Sequence, residues 1–311
     1  MAELLLNGLD GTNPLAFFAA LGTLSALHEI GPGDCRLSWR EVDTWRPVIH
    51  TASLFKPSEL IDALVADQAT WATDPCRFLR YATQGGKKSG GKEAFDLKPP
   101  PAVFRAYLEG LLAKSGRDRR RSIDFAAAFA TDVAVDNNGN AKPTAFHFTA
   151  GQQEFLAMVD VLATKVEPAD LEEAVLGPWV YAGRLPVLGW DVTSNRDYAL
   201  RASNPSTDKK FGVPGADWLA FRGLSYFPVM SLAGRLTTTG CSGDWKHSVF
   251  CWPLWSVPLS SRGVRSVLKL ADLESMSWLN RDARGIGAVL KSSISRSDQG
   301  GYGSFSPPRV C

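Results

Sequence analysis

The sequence predicts an α+β fold: helices mixed with antiparallel strands, long polar loops, and no Rossmann-type doubly wound sheet. Three observations carry that prediction. Hydrophobic residues make up 45% of the 311-residue chain and charged residues 21%, the balance of a globular protein. Helix-spaced apolar segments with clear start and stop signals are interleaved with short strand-like runs. Those runs show no clean βαβ alternation, which a parallel sheet would require.

The elements follow in order. Glu3 to Leu6 reads as a short strand, closed by a Gly/Asp turn at Gly8 to Gly11. A helix starts at Pro14, because Asn13 is a good N-cap and the missing proline N–H would be unpaired there anyway. Gly31-Pro32-Gly33 stops it. Arg36 to Val42 and Trp45 to Thr51 form a predicted hairpin, and Pro57 to Ala69 an amphipathic helix. Gln84 to Lys98 is glycine-rich and polar, hence loop. Helices are predicted over Val103 to Lys114, Ser122 to Thr131, Gly151 to Thr164, Pro168 to Leu176 and Gly215 to Arg222. Asp136 to Asn140 is a turn between short apolar runs. Val229 to Thr237, Val249 to Leu259 and Gly285 to Ile294 read as strands, with a helix near Val264 to Leu273. The Gly/Ser/Pro-rich tail from Ser297 reads as disordered. The chain divides into an N-terminal α+β region, 1–183, and a β-rich region, 184–311, as two units or one continuous domain.

The five cysteines are odd in number, widely spaced and free of CxxC, which suits reduced thiols in a cytoplasmic protein. No apolar run is long enough to span a bilayer, and no basic segment precedes an apolar stretch at the start, so no membrane partner and no secretory signal are expected.

The net charge of +2 hides an uneven distribution. Residues 1–76 carry a balance of −6, 77–121 of +8, 122–183 of −7 and 184–311 of +7. Alternation of this kind points to a polyanion partner. In the first basic segment, Lys87, Lys88 and Lys92 sit among glycines that let them follow a phosphate backbone. Arg117, Arg119, Arg120 and Arg121 form a run suited to forked phosphate contacts. In the second region, Asn195, Arg196, Arg201, Asn204, Lys209 and Lys210 are interleaved with Trp190, Tyr198 and Trp218, a mixture suited to base-edge reading and stacking.

Catalytic readings fare worse. Gly86 to Lys92 fits GxxxxGK, but Glu93 stands where a magnesium-binding Ser or Thr belongs, and the flanks are neither buried strand nor helix. The four histidines show no metal-ligand spacing, and Cys241, His247 and Cys251 lack a fourth zinc ligand. Asp96-Leu97-Lys98, Asp208-Lys209-Lys210 and Asp244-Trp245-Lys246 match the short DxK pattern of metal-dependent nucleases, without a supporting carboxylate strand. The expectation is therefore no catalytic residues, no metal and no cofactor, with a metal-dependent nuclease as an alternative.

Three ordered segments resemble a known family. They are Leu9 to Gly22 (LDGTNPLAFFAALG), Leu188 to Asp191 (LGWD) with Arg196 to Arg201 and Asn204 to Ser206, and Trp218 to Leu224 (WLAFRGL) with Phe227-Pro228. Together they resemble the short large-subunit family of type I-G (formerly I-U) CRISPR Cascade surveillance complexes. That resemblance implies a non-enzymatic subunit that binds the protospacer-adjacent motif of double-stranded target DNA and helps hold the guide-RNA end. It further implies docking on Cascade backbone subunits and recruitment of the helicase–nuclease. The alternative within the same system is an accessory assembly subunit that reads no motif.

Overall fold

The computed structural model describes residues 2–31, 33–53, 55–74, 77, 79–82, 93–113, 117–149, 153–194, 211–296 and 302–311, with the side chains of 117–119 and 194 excluded. The architecture is α+β, built on small antiparallel sheets around one central helix.

That helix, α1 (Pro14–Ile30), is fixed at its start by Asn13, whose side-chain oxygen accepts the Leu15 N–H at 3.0 Å. Pro14 through Leu27 are all buried, so the helix is apolar on every face and must be enclosed. On one side lies a four-stranded sheet. Its order is β1 (Ala2–Leu5), β3 (Trp45–Thr51), β2 (Arg36–Glu41) and β12 (Leu259–Ser260). A second sheet runs β10 (Cys241–Ser242), β11 (Ser248–Trp255), β13 (Ile286–Arg296) and β14 (Gly303–Phe305), with β15 (Arg309–Val310) also on β13. Phe17, Phe18, Trp39, Phe250, Trp252 and Trp255 interlock between the helix and the two sheets, with centroids 4.9–6.4 Å apart. Two of the buried indoles are satisfied locally: Trp252 donates to the Gly11 carbonyl at 2.9 Å and Trp255 to that of Leu37 at 2.7 Å.

The remaining helices pack on α1, on one another or, in the case of the last two, on strands of the two sheets. They are α2 (Pro57–Ala69), α3 (Pro101–Leu112), α4 (Arg117–Phe129), α5 (Phe155–Lys165), α6 (Pro168–Leu176), α7 (Pro214–Gly223), α8 (Ser261–Val267) and α9 (Trp278–Asp282). The tightest packing is α1 on α7. A Cβ on Gly22 would collide with the Leu219 carbonyl, and one on Gly223 with that of Phe18, so two glycines let the backbones touch. Three hairpins complete the fold: β4 (Tyr81–Ala82) with β5 (Glu93–Ala94), β6 (Ala130–Val135) with β7 (Ala141–Pro143), and β8 (Val229–Leu232) with β9 (Arg235–Thr238).

A single hydrophobic core crosses the 183/184 position, since α1 packs on α7 and β2 pairs with β12. Two sequence expectations are corrected. Val229 to Thr237 is a hairpin, not one strand, because Ala233 and Gly234 turn the chain at positive φ (49° and 74°). The tail is not disordered where it is described: Phe305 is fully buried, and Gly303–Phe305 and Arg309–Val310 pair with β13. No helix among the described residues is long and apolar enough to cross a membrane.

Candidate nucleic-acid interface

Three tight turns, far apart in sequence, come together at one edge of the molecule. In the β6–β7 turn, Asp136 Oδ1 accepts the N–H groups of Asn138 (2.8 Å) and Asn140 (3.0 Å). The β8–β9 turn is the Ala233-Gly234 pair. In the β10–β11 turn, Asp244 Oδ1 accepts the N–H groups of Lys246 and His247, both at 2.9 Å. Between these turns lies a groove of about 1190 Å³. Its cations are Lys98, Lys142, Arg235 and Lys246, joined by the imidazole of His247. Its carboxylates are Asp136 and Asp244, both engaged by their own turns. No ion pair joins the four cations to a carboxylate among the described residues. Four cations against two carboxylates leave an excess of positive charge among the described lining residues.

Arg296, at the end of β13, ties the groove together. It donates to the carbonyls of Trp245 (3.0 Å), His147 (2.9 Å) and Ala145 (2.7 Å). Its guanidinium carbon sits 3.5 Å from the centre of the Trp245 ring. Burial lowers its pKa to about 10, still charged at neutral pH. One face of the half-buried Trp245 is thus backed by a fixed cation. Thr238 accepts the Ala145 N–H at 2.9 Å and pins β9 to the same floor.

Beneath the floor, His147 is buried, with Nε2 2.9 Å from Asp96 Oδ1 and 3.0 Å from the Thr149 hydroxyl. Burial lowers its pKa despite the carboxylate. Burial also works against the Asp96 anion, but the His147 ring and the Phe155 and Leu97 amides outweigh it and hold its pKa at about 2. Asp96 is thereby a structural acceptor, remote in role from the exposed Asp244. No group of three or more His, Cys, Asp or Glu side chains suited to a metal exists among the described residues.

The residues singled out by sequence distribute unevenly. Lys87, Lys88, Lys92, Asn195, Arg196, Arg201, Asn204, Lys209 and Lys210 lie outside the described residues, as do Tyr198 and Asp208. Arg117 and Arg119 belong to the first turns of α4. Arg120 is exposed and pairs with Asp124 one turn on, at 3.1 Å. Arg121 is corrected: it points inward, against Asp74 (3.0 Å), Glu29 (3.2 Å) and Thr70 (3.1 Å), and is too buried to meet a phosphate. Trp190 and Trp218 are corrected likewise, being core side chains with no face open for stacking.

The groove residues Lys142, Arg235 and Trp245, with Arg296 behind them, were not readable as a group, because five separate segments line the site. Lys98 and Lys246 carried a partial signal, as members of the Asp-x-Lys tripeptides. Lys142 sits in a segment with a negative balance, so block charge conceals it.

Where they are described, the segments that carry the family resemblance serve the architecture. Leu15 to Gly22 and Trp218 to Leu224 are the buried α1–α7 contact. Asp10 accepts from Thr12 and Thr44, each at 2.8 Å. Asp191 accepts from Asn13 (3.2 Å) and Tyr181 (2.9 Å). A hollow of about 370 Å³ opens beside them, lined by Asp10, Asn13, Tyr181 and Trp179. Its one cation among the described lining residues, Arg46, is already paired with Asp43, and Asp10 offsets it, so the hollow lacks the positive excess of the larger groove. Comparison of the chain with models of known protein families gives no match, and comparison with curated protein sequences gives none either.

Proposed function

We propose that this chain is a non-catalytic, nucleic-acid-binding large subunit of a type I-G CRISPR Cascade complex. In that role it binds double-stranded target DNA at the protospacer-adjacent motif, contacts the guide-RNA end, docks on the backbone subunits and helps recruit the helicase–nuclease. The observation that carries nucleic-acid binding is the groove: four cations without carboxylate partners among the described residues, around an indole backed by Arg296; the choice of duplex DNA and its motif is carried by the resemblance alone. The Cascade assignment rests on the three ordered sequence segments. Asp96 is engaged by His147 and the Phe155 amide and Asp244 by its own turn, which supports structural roles for these two carboxylates.

Co-purification tests the assignment. The tagged chain is co-expressed with type I-G backbone subunits and a guide RNA. The expected result is elution of guide RNA and backbone subunits with the chain in fixed ratio. Elution of the chain alone would overturn it.

A second reading, an assembly subunit that reads no motif, is favoured by Trp278 and Leu279. These neighbours on α9 are 72% and 70% exposed, as in a protein contact. Retention in the complex with unchanged target-DNA affinity after groove substitution would select it.

A further inference from the structure

We propose that the groove bounded by Lys98, Lys142, Arg235 and Lys246 holds a single strand of polynucleotide, about four nucleotides long, with one base stacked on Trp245. The proposal rests on the nucleic-acid-binding reading above and goes further by naming the form of the ligand.

Three features select a single strand over a duplex. The first is the indole. An aromatic face gains stacking energy only from a base whose own face is free, and the bases of a duplex are stacked on one another. Trp245 is half-buried, with Arg296 covering it at 3.5 Å and holding the peptide that bears it through the Trp245 carbonyl. The pair is built before any ligand arrives.

The second is size. A groove of about 1190 Å³ is only slightly larger than the roughly 300–1,000 Å³ of a small-molecule site. It takes a few nucleotides and not the body of a double helix. The third is the arrangement of charge. Lys142 stands on β7, Arg235 at the start of β9, Lys246 in the β10–β11 turn and Lys98 on the segment after β5, so the cations reach the hollow from four separate places in the chain. Four cations match four phosphates of a strand threading between the turns.

The shared chemistry is a single-stranded sugar–phosphate chain with an unstacked base, and RNA and DNA both supply it. The experiment separates them. Fluorescence anisotropy of the full chain is measured with labelled dT12, rU12 and a blunt 12-base-pair duplex, between 50 and 300 mM NaCl. The expected result is single-strand binding at least 10-fold tighter than duplex binding, with a log–log salt slope of about −3. K142A/R235A/K246A should flatten that slope by about 2. W245L should weaken single-strand binding about 10-fold at unchanged slope, and W245F should restore most of it. The tighter of dT12 and rU12 identifies the strand.

Two failures are distinguishable. If the triple variant binds both strand forms as the parent does, the groove is not the nucleic-acid site, and the reading beneath the proposal falls with it. If the triple variant loses duplex binding but W245L changes nothing, the groove binds nucleic acid and the single-strand proposal alone is overturned.

Discussion

The guanidinium of Arg296 lies 3.5 Å over the ring of Trp245 and donates to that residue's own carbonyl at 3.0 Å. The same side chain reaches the carbonyls of His147 and Ala145, so one residue fixes the floor of the groove and orients its aromatic face. Arg296→Met removes three hydrogen bonds and leaves buried carbonyls without that donor. The expected cost is about 1–3 kcal/mol of stability by urea denaturation, with at least 10-fold weaker oligonucleotide binding. Arg296→Lys should recover little, because an ammonium cannot match the planar fork. Binding equal to the parent in both variants would remove Arg296 from the site.

A second arginine holds the core. Arg222 on α7 donates to both oxygens of Asp67 on α2, at 2.7 and 2.6 Å, with both side chains 1% exposed. Asp67→Ala strands a buried cation and should cost about 3–5 kcal/mol in denaturant unfolding. The double variant Asp67→Leu/Arg222→Met should recover most of that loss, since it removes the uncompensated charge. A single variant within about 1 kcal/mol of the parent would mean that the pair is dispensable.

Glycine substitutions should divide by location. Gly22→Ala places a methyl group into the Leu219 carbonyl and forces α1 from α7, so a loss of at least about 2 kcal/mol is expected. Gly110 lies in α3 with open space where an added methyl group would stand. Gly110→Ala should raise stability by about 0.5–1 kcal/mol through helix propensity alone. Thermal unfolding of the two variants reads both signs.

The pH dependence of stability should carry a His147 component. His147 is faced by Asp96, Thr149, Lys98 and Arg296, and its Nδ1 has no hydrogen-bond partner among the described residues. Burial lowers its folded-state pKa, so the unfolded chain takes up the proton first as pH falls. Its contribution is complete above the ordinary histidine value of about 6.5 and is lost below it. Asp96, held at about 2, stays ionised throughout that window. Unfolding free energy should therefore fall between pH 7.5 and 5, by at most about 1.4 kcal/mol per pH unit from this group. His147→Gln should make the fall shallower, leaving a remainder from His50, whose pKa burial also lowers. An identical pH profile in the variant would refute the assignment.

Much of the fold was legible because local chemistry decides it. Pro57–Ala69 and Pro168–Leu176 match their predicted bounds, since each opens with proline at the first helical position. Each also has an acid, Glu59 or Asp170, bonded back to the backbone N–H before the helix. Direction in space was not legible. Arg120 and Arg121 are adjacent in one basic run, yet helical rotation sends Arg120 to solvent and Arg121 onto Asp74. Trp190 and Trp218 sit in a polar stretch but anchor the core, while Trp245, in an equally polar stretch, lines the groove. The groove itself brings Lys98, Lys142, Arg235 and Lys246 together, with Arg296 behind Trp245, and only tertiary folding makes them neighbours. The tail shows the same limit: its composition suggests disorder, but Phe305 closes the aromatic core against Phe146, Phe148 and Phe250.

Two charge reversals, made in the chain assembled with its guide-RNA complex, separate the groove from the rest of the surface. K142E/R235E/K246E inverts the groove, and Arg309→Glu inverts an exposed cation on β15, outside it. The measurement is the dissociation constant for target nucleic acid at 100 mM salt. The groove variant should bind at least 100-fold more weakly, and Arg309→Glu should stay within threefold of the parent. Equal losses in the two variants, or none in either, would contradict the groove's role in binding.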